Sequence, residues 1–181
     1  MKRKLRLLVT KDCPKNCEGC CNKDWNLDKL PVVDHYNYDE ILITGGEPLN
    51  GTCYGKTQAL LDYLNYVDTN SSRRVYVYTS DPMFTGILWS CDGVTVSLHT
   101  QEDADEFFEC SLPRFNNAMS EIETIDGSEV ANNKCNRLNI FKGIKIPKDV
   151  DLNAWEVKKD IEWIPNCPLP EDEVFMKLPN I

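Results

Sequence analysis

The chain has 181 residues, 41% of them hydrophobic, and sets 20 basic side chains against 29 acidic ones for a formal charge of -9. That length predicts a single domain over residues 1–181 with room for a core, and the acidic balance excludes a nucleic-acid scaffold, whose phosphate contacts need clustered Lys and Arg. No stretch approaches the roughly 20 apolar residues of a membrane span, and the apolar run 5–9 is interrupted by Arg6 and followed by Lys11-Asp12, which does not make a signal-peptide core. Nine cysteines in such a chain predict a cytoplasmic, reducing setting with metal ligation and no disulfides.

Residues 4–10 read as a first strand that delivers the chain to Cys13-Pro14-Lys15-Asn16-Cys17-Glu18-Gly19-Cys20-Cys21. Thiols at C-x3-C-x2-C can surround one metal centre, because short spacers let each sulfur reach it without straining the backbone. Residues 22–30 follow as one or two helical turns ended by Pro31, and the apolar run 40–44 is a strand that stops at Gly45-Gly46. Leu60, Leu61, Leu64 and Val67 make one stripe of a helix over 56–67. A strand over 74–79 ends before Asp81-Pro82. In 94–99, Val94, Val96 and Leu98 alternate with Thr95, Ser97 and His99, so one face meets helices and the other lines a polar cavity.

Residues 101–109 and 114–125 are acidic helical segments separated by Pro113, and 126–136 is a polar loop. A strand over 137–146 broken at Gly143, a short helix over 152–159 and a last strand over 160–164 complete the body; prolines make 166–181 an extended tail. Strands alternating with helices predict a parallel α/β sheet, an open (β/α)6 partial barrel, with ligands at the carboxyl ends of the strands. The cysteine loop, Gly45-Gly46-Glu47-Pro48, Thr79-Ser80, Ser97 to His99 and Gly143 all fall at such ends.

The order of these two motifs, C-x3-C-x2-C after the first strand and Gly45-Gly46-Glu47-Pro48 after the second, resembles the radical S-adenosylmethionine superfamily. The resemblance implies that Cys13, Cys17 and Cys20 ligate three irons of a [4Fe-4S] cluster. S-adenosylmethionine would take the fourth iron and be cleaved to a 5'-deoxyadenosyl radical that abstracts hydrogen from a substrate. It also implies cofactor contacts from Gly45, Gly46, Glu47 and Pro48, from Ser97 or His99 after the fourth strand, and from Gly143 and Ile144 after the fifth. Glu47 supplies an acceptor for an ammonium group. The implied partners are a flavodoxin- or ferredoxin-like electron donor and a small-molecule, peptide or protein substrate, with no nucleic acid and no membrane.

Within the superfamily, residues 17–23 most resemble the activase of anaerobic ribonucleotide reductase, with glycine before the third cysteine and asparagine two after it. The chain departs from that activase at Glu47, where the activase carries aspartate, and in the alternation over 94–99. Residues 44–49 are similar to short deazaguanine-forming members. The competing reading from another class is a non-catalytic iron-sulfur protein, or a structural zinc site on Cys13, Cys17 and Cys20 with Cys21, Cys53 or Cys167. Residues 51–57 nearly match a phosphate-binding loop but are one residue short between the glycines, and they read as a helix entrance.

Overall fold

Short apolar runs that stop at glycine or a polar pair become strands here, and all of the strand pairings described are parallel. The computed structural model describes residues 3–81, 84–87, 89–118 and 135–181. It divides into two compact units, Met1–Tyr78 with Trp163–Ile181, and Thr79–Glu162. The described residues carry seven strands, β1 (Lys4–Leu8), β2 (Glu40–Thr44), β3 (Arg74–Thr79), β4 (Gly93–Leu98), β5 (Asn136–Phe141), β6 (Trp155–Ile161) and β7 (Glu173–Lys177). The named α-helices among them are α1 (Tyr54–Tyr66) and α2 (Gln101–Glu106). The α/β class with parallel strands is therefore as expected.

In the first unit the strand order is β3-β2-β1-β7. Leu5, Leu7, Leu8, Ile41 and Ile43 are fully buried, as strands covered on both faces require. α1 lays Thr57, Leu60, Leu61 and Leu64 inward, but Val67, expected in that stripe, caps the helix and is 69% exposed. At the far end of α1 the buried Arg73 guanidinium donates to the carbonyls of Leu64, Asp68 and Tyr36 and pairs with Asp68 at 3.1 Å. It satisfies carbonyls that a helix end leaves open.

Residues 166–181 were expected as an extended tail. They instead contribute β7, which pairs with β1 in register from Lys4↔Glu173 to Leu8↔Lys177. Phe175 then completes a small core with Leu8 and Leu30, and Trp25 meets its ring edge-on at 5.5 Å. Charges fix the alignment, with Arg6 against Glu173 at 2.8 Å and Lys4 against Asp172 at 3.1 Å.

In the second unit β4, β5 and β6 are neighbours in that order. The expected apolar face is present, with Val94, Val96 and Leu98 fully buried. Four sequence expectations fail in this unit, the first being the strand expected over 137–146, which ends at Phe141 as β5. The helix expected over 152–159 and the strand over 160–164 are together one strand, β6, in which Trp155 and Val157 pair with Asn136 and Leu138. Trp155 packs against Phe107 and Phe115, so tertiary burial overrides a polar local sequence. The break expected at Pro113 is absent: α2 passes through a π-helical turn, Phe107–Ser111, and helix continues to residue 118. A proline ring collides with the carbonyl four residues back, here Glu109, and a wider turn there removes the collision. Residues 142–154 join β5 to β6 without an α-helix, so the regular strand-helix alternation expected of (β/α)6 is not kept. Residues 119–125 and most of the loop expected over 126–136 lie outside the described residues.

Candidate metal centre

The cysteine loop leaves the end of β1 and returns through a 3-10 turn at Cys21–Lys23. Backbone bonds from Cys20 N to the Cys17 carbonyl (3.4 Å) and from Lys23 N to the Cys20 carbonyl (2.9 Å) fold it tightly, and Lys23 Nζ donates to the Cys17 carbonyl at 2.6 Å. Burial pushes the Cys13 thiol above its ordinary value, and the nearby negative charges of Glu47, Cys17 and Cys20 push it the same way; an opposing bond from the Lys15 backbone lowers it. Cys17, Cys20 and Glu47 are thus electrostatic neighbours of Cys13. Among the described residues no three His, Cys, Asp or Glu side chains form a closed metal-holding group. The donor chemistry fits a thiophilic centre: the Cys13 thiol, raised by burial and by the negative charges around it, ionises more readily beside a bound cation.

Gly45 and Gly46 were expected to let a backbone approach a ligand. In the structure the backbone they approach is the entry to the cysteine loop. Gly46 N donates to the Thr10 carbonyl at 2.7 Å and Glu47 N to the Asp12 carbonyl at 2.8 Å. A Cβ on Gly46 would overlap the Lys11-Asp12 backbone, and one on Gly45, whose φ is +150°, would overlap the Thr10 carbonyl. Asn22 Nδ2 closes the same junction by donating to the Gly45 carbonyl at 2.5 Å. Glu47 is 1% exposed, and its Oε1 accepts from Leu49 N at 3.1 Å. The Pro48 carbonyl accepts from Thr57 Oγ1 at 2.7 Å, which makes residues 51–57 a helix entrance.

The second unit carries the other expected site residues. Ser97 Oγ accepts from Asn139 Nδ2 at 3.3 Å across β4 and β5. His99 meets Phe141 edge-on at 4.6 Å, and its backbone N–H donates to Asp103 Oδ2 at 3.0 Å. Thr95, on the same face as Ser97, is 2% exposed, and its hydroxyl has no hydrogen-bond partner among the described residues. Gly143, at φ +89°, turns the chain after β5, and Ile144 N donates to the Phe141 carbonyl at 3.3 Å.

The expectation of no disulfides is overturned. Cys21 is disulfide-bonded to Cys167, 146 residues away, and the other seven cysteines are not disulfide-bonded. A sequence reading cannot pair cysteines that only the return of β7 beside β1 brings together. The same return brings in two residues that sequence reasoning missed. The Trp163 ring fills the space that a side chain at position 19 would need, and Trp25 Nε1 donates to the Cys167 carbonyl at 3.3 Å. Asn22 carried a usable signal, as a short amide two residues beyond the third loop cysteine. Comparison with protein-family models, with curated proteins and with solved structures returns no match for this chain.

Proposed function

We propose that the protein is a radical S-adenosylmethionine enzyme built on a parallel-stranded α/β fold, and that it binds a [4Fe-4S] cluster through Cys13, Cys17 and Cys20. The observation that carries this reading is the junction of two motifs distant in sequence. The entry to the cysteine loop and the Gly45–Pro48 turn are bonded to each other at the carboxyl ends of adjacent parallel strands, with Glu47 within electrostatic reach of Cys13. Held by Cys13, Cys17 and Cys20, such a cluster would leave one iron without a protein ligand, open to S-adenosylmethionine, and would supply the electron for its reductive cleavage.

The chain's own residues do the positioning. Gly45 and Gly46 set the distance between loop and turn, Asn22 fixes the loop against the Gly45 carbonyl, and Glu47 holds a buried carboxylate for an ammonium group. Ser97, His99, Gly143 and Ile144, which the resemblance implies as further cofactor contacts, lie at or just beyond strand ends of the second unit. A flavodoxin- or ferredoxin-like protein is the proposed electron donor, and the cytoplasm the proposed location. No helix of the described residues is long and apolar enough to cross a membrane.

Anaerobic reconstitution with iron and sulfide is expected to give a brown protein with about four irons per chain, which turns over S-adenosylmethionine to 5'-deoxyadenosine with dithionite. Cys17→Ala is expected to abolish that product. A colourless protein that takes up zinc but no iron-sulfur cluster would replace this reading with the structural zinc site, and full cleavage by Cys17→Ala would remove the ligand assignment.

A further inference from the structure

Residues 163–167 form a strap across the cysteine loop, attached at two points. Trp163 occupies the space above Gly19, between Cys17 and Cys20, so a β-carbon at that position would collide with the indole. Four residues on, Cys167 is bonded to Cys21, the residue directly after the third loop cysteine. Between the two anchors the chain turns sharply, with Asn166 and Cys167 both in the left-handed region at φ 62° and 32°. Asparagine tolerates that conformation, but cysteine there is uncommon and must be held by its surroundings. What holds it are the disulfide, the bond from Cys167 N to the Ile164 carbonyl at 3.2 Å, and the Trp25 indole on its own carbonyl. Beyond the strap the chain is secured independently, by the β7 ladder and by Leu178 N on the Leu8 carbonyl. Loss of the disulfide therefore removes the covalent tie between strap and loop while β7 stays in place.

We propose that Cys21–Cys167 is a redox latch: oxidised, it holds the Trp163 strap over the loop at Gly19; reduced, it releases the strap and gives Cys17 and Cys20, which are part-buried in the latched form while Cys13 is already exposed, freer access to metal and to reagents. A dithiol reductant opens it by exchange: the S–S bond breaks, the reductant's two thiols become its own disulfide, and their two electrons and two protons leave Cys21 and Cys167 as thiols. The disulfide neighbours Cys20 in sequence, so the redox state that admits a low-potential centre also unlocks the loop that would hold it. That last consequence rests on reading Cys13, Cys17 and Cys20 as metal ligands; the latch itself does not.

The test uses the full chain in metal-free form. Protein isolated without reductant is expected to give a tryptic pair, residues 16–23 joined to 160–177, that disappears after dithiothreitol. Cys17 is then expected to react with N-ethylmaleimide about tenfold faster in the double variant Cys21→Ser/Cys167→Ser than in the latched wild type, since covering a thiol lowers its rate by the cost of opening. Wild type reduced with dithiothreitol and desalted anaerobically should match the double variant, which makes the comparison independent of the substitutions. Absence of the linked pair in oxidising buffer, or equal Cys17 rates in both states, overturns the latch. Cobalt(II) serves as the metal probe, and its thiolate charge-transfer band should grow faster in the unlatched protein. A linked pair and unequal Cys17 rates with no cobalt band in either form would leave the latch standing and remove the metal-ligand reading.

Discussion

At the scale of single residues, the candidate site is held together by groups too small to carry chemistry. Gly46 is the clearest case, because its missing side chain is what allows the Thr10–Asp12 backbone to bond to the Gly46 and Glu47 amides. Gly46→Ala forces the two segments apart, and overpacking against rigid backbone costs about 2 kcal/mol. Urea denaturation is expected to show that loss, with the Cys13 thiol becoming more reactive as the loop loosens. An unchanged midpoint would mean the turn can yield without cost. The glycine pair was legible in the sequence as a turn, but its partner was not, since nothing local to residues 45–46 says that residues 10–12 lie against them. The buried charge of Arg73 was equally silent, its partners being carbonyls contributed by residues 36, 64 and 68.

At the scale of elements, regular apolar spacing was readable and its exceptions were not. The runs 40–44 and 74–79 are strands with the expected bounds, because burial and β-propensity agree there. β6 was not legible because Glu156, Lys158, Lys159 and Asp160 are exposed on a strand with one neighbour among the described residues, and its apolar residues are limited to Trp155, Val157 and Ile161. The start of α2 was visible but its cap went unread. Thr100 and Asp103 form a reciprocal capping box, in which Thr100 Oγ1 accepts from Asp103 N while Asp103 Oδ2 accepts from the amides of Thr100 and His99. Thr100→Ala removes one acceptor at a cost of about 1 kcal/mol. Asp103→Ala leaves two amides without theirs, and about 2 kcal/mol is expected. The order of the two urea midpoints checks the assignment, and Thr100→Ala as the more damaging change would refute it. The Asp103 variant should also disturb the His99 amide resonance, since its carboxylate holds that amide at the end of β4.

At the scale of the whole chain, the last residues complete a unit begun by the first. β7 lies beside β1, and the Phe175 ring seals Leu8 and Leu30 beneath the segment that leads out of the cysteine loop. The parallel α/β class was legible from strand-end glycines and apolar runs. The closing strand was not, because residues 166–181 are proline-rich and only Val174, Phe175 and Met176 among them form an apolar run. A strand there depends on the open edge of β1 and on Arg6 and Lys4 meeting Glu173 and Asp172, contacts at sequence separations that no local pattern encodes. Phe175→Ala distinguishes a strand that supports the body from one that only decorates it. Deleting a buried aromatic ring costs about 3 kcal/mol, which for a chain of this length lowers the melting temperature by roughly 10 °C. Because the ring packs on Trp25, which in turn bonds the Cys167 carbonyl, the same substitution should raise the fraction of Cys21–Cys167 reduced at a fixed dithiothreitol ratio. A melting temperature within a degree or two of wild type, with the disulfide equilibrium unmoved, would show that β7 is held by its backbone ladder and charged pairs alone.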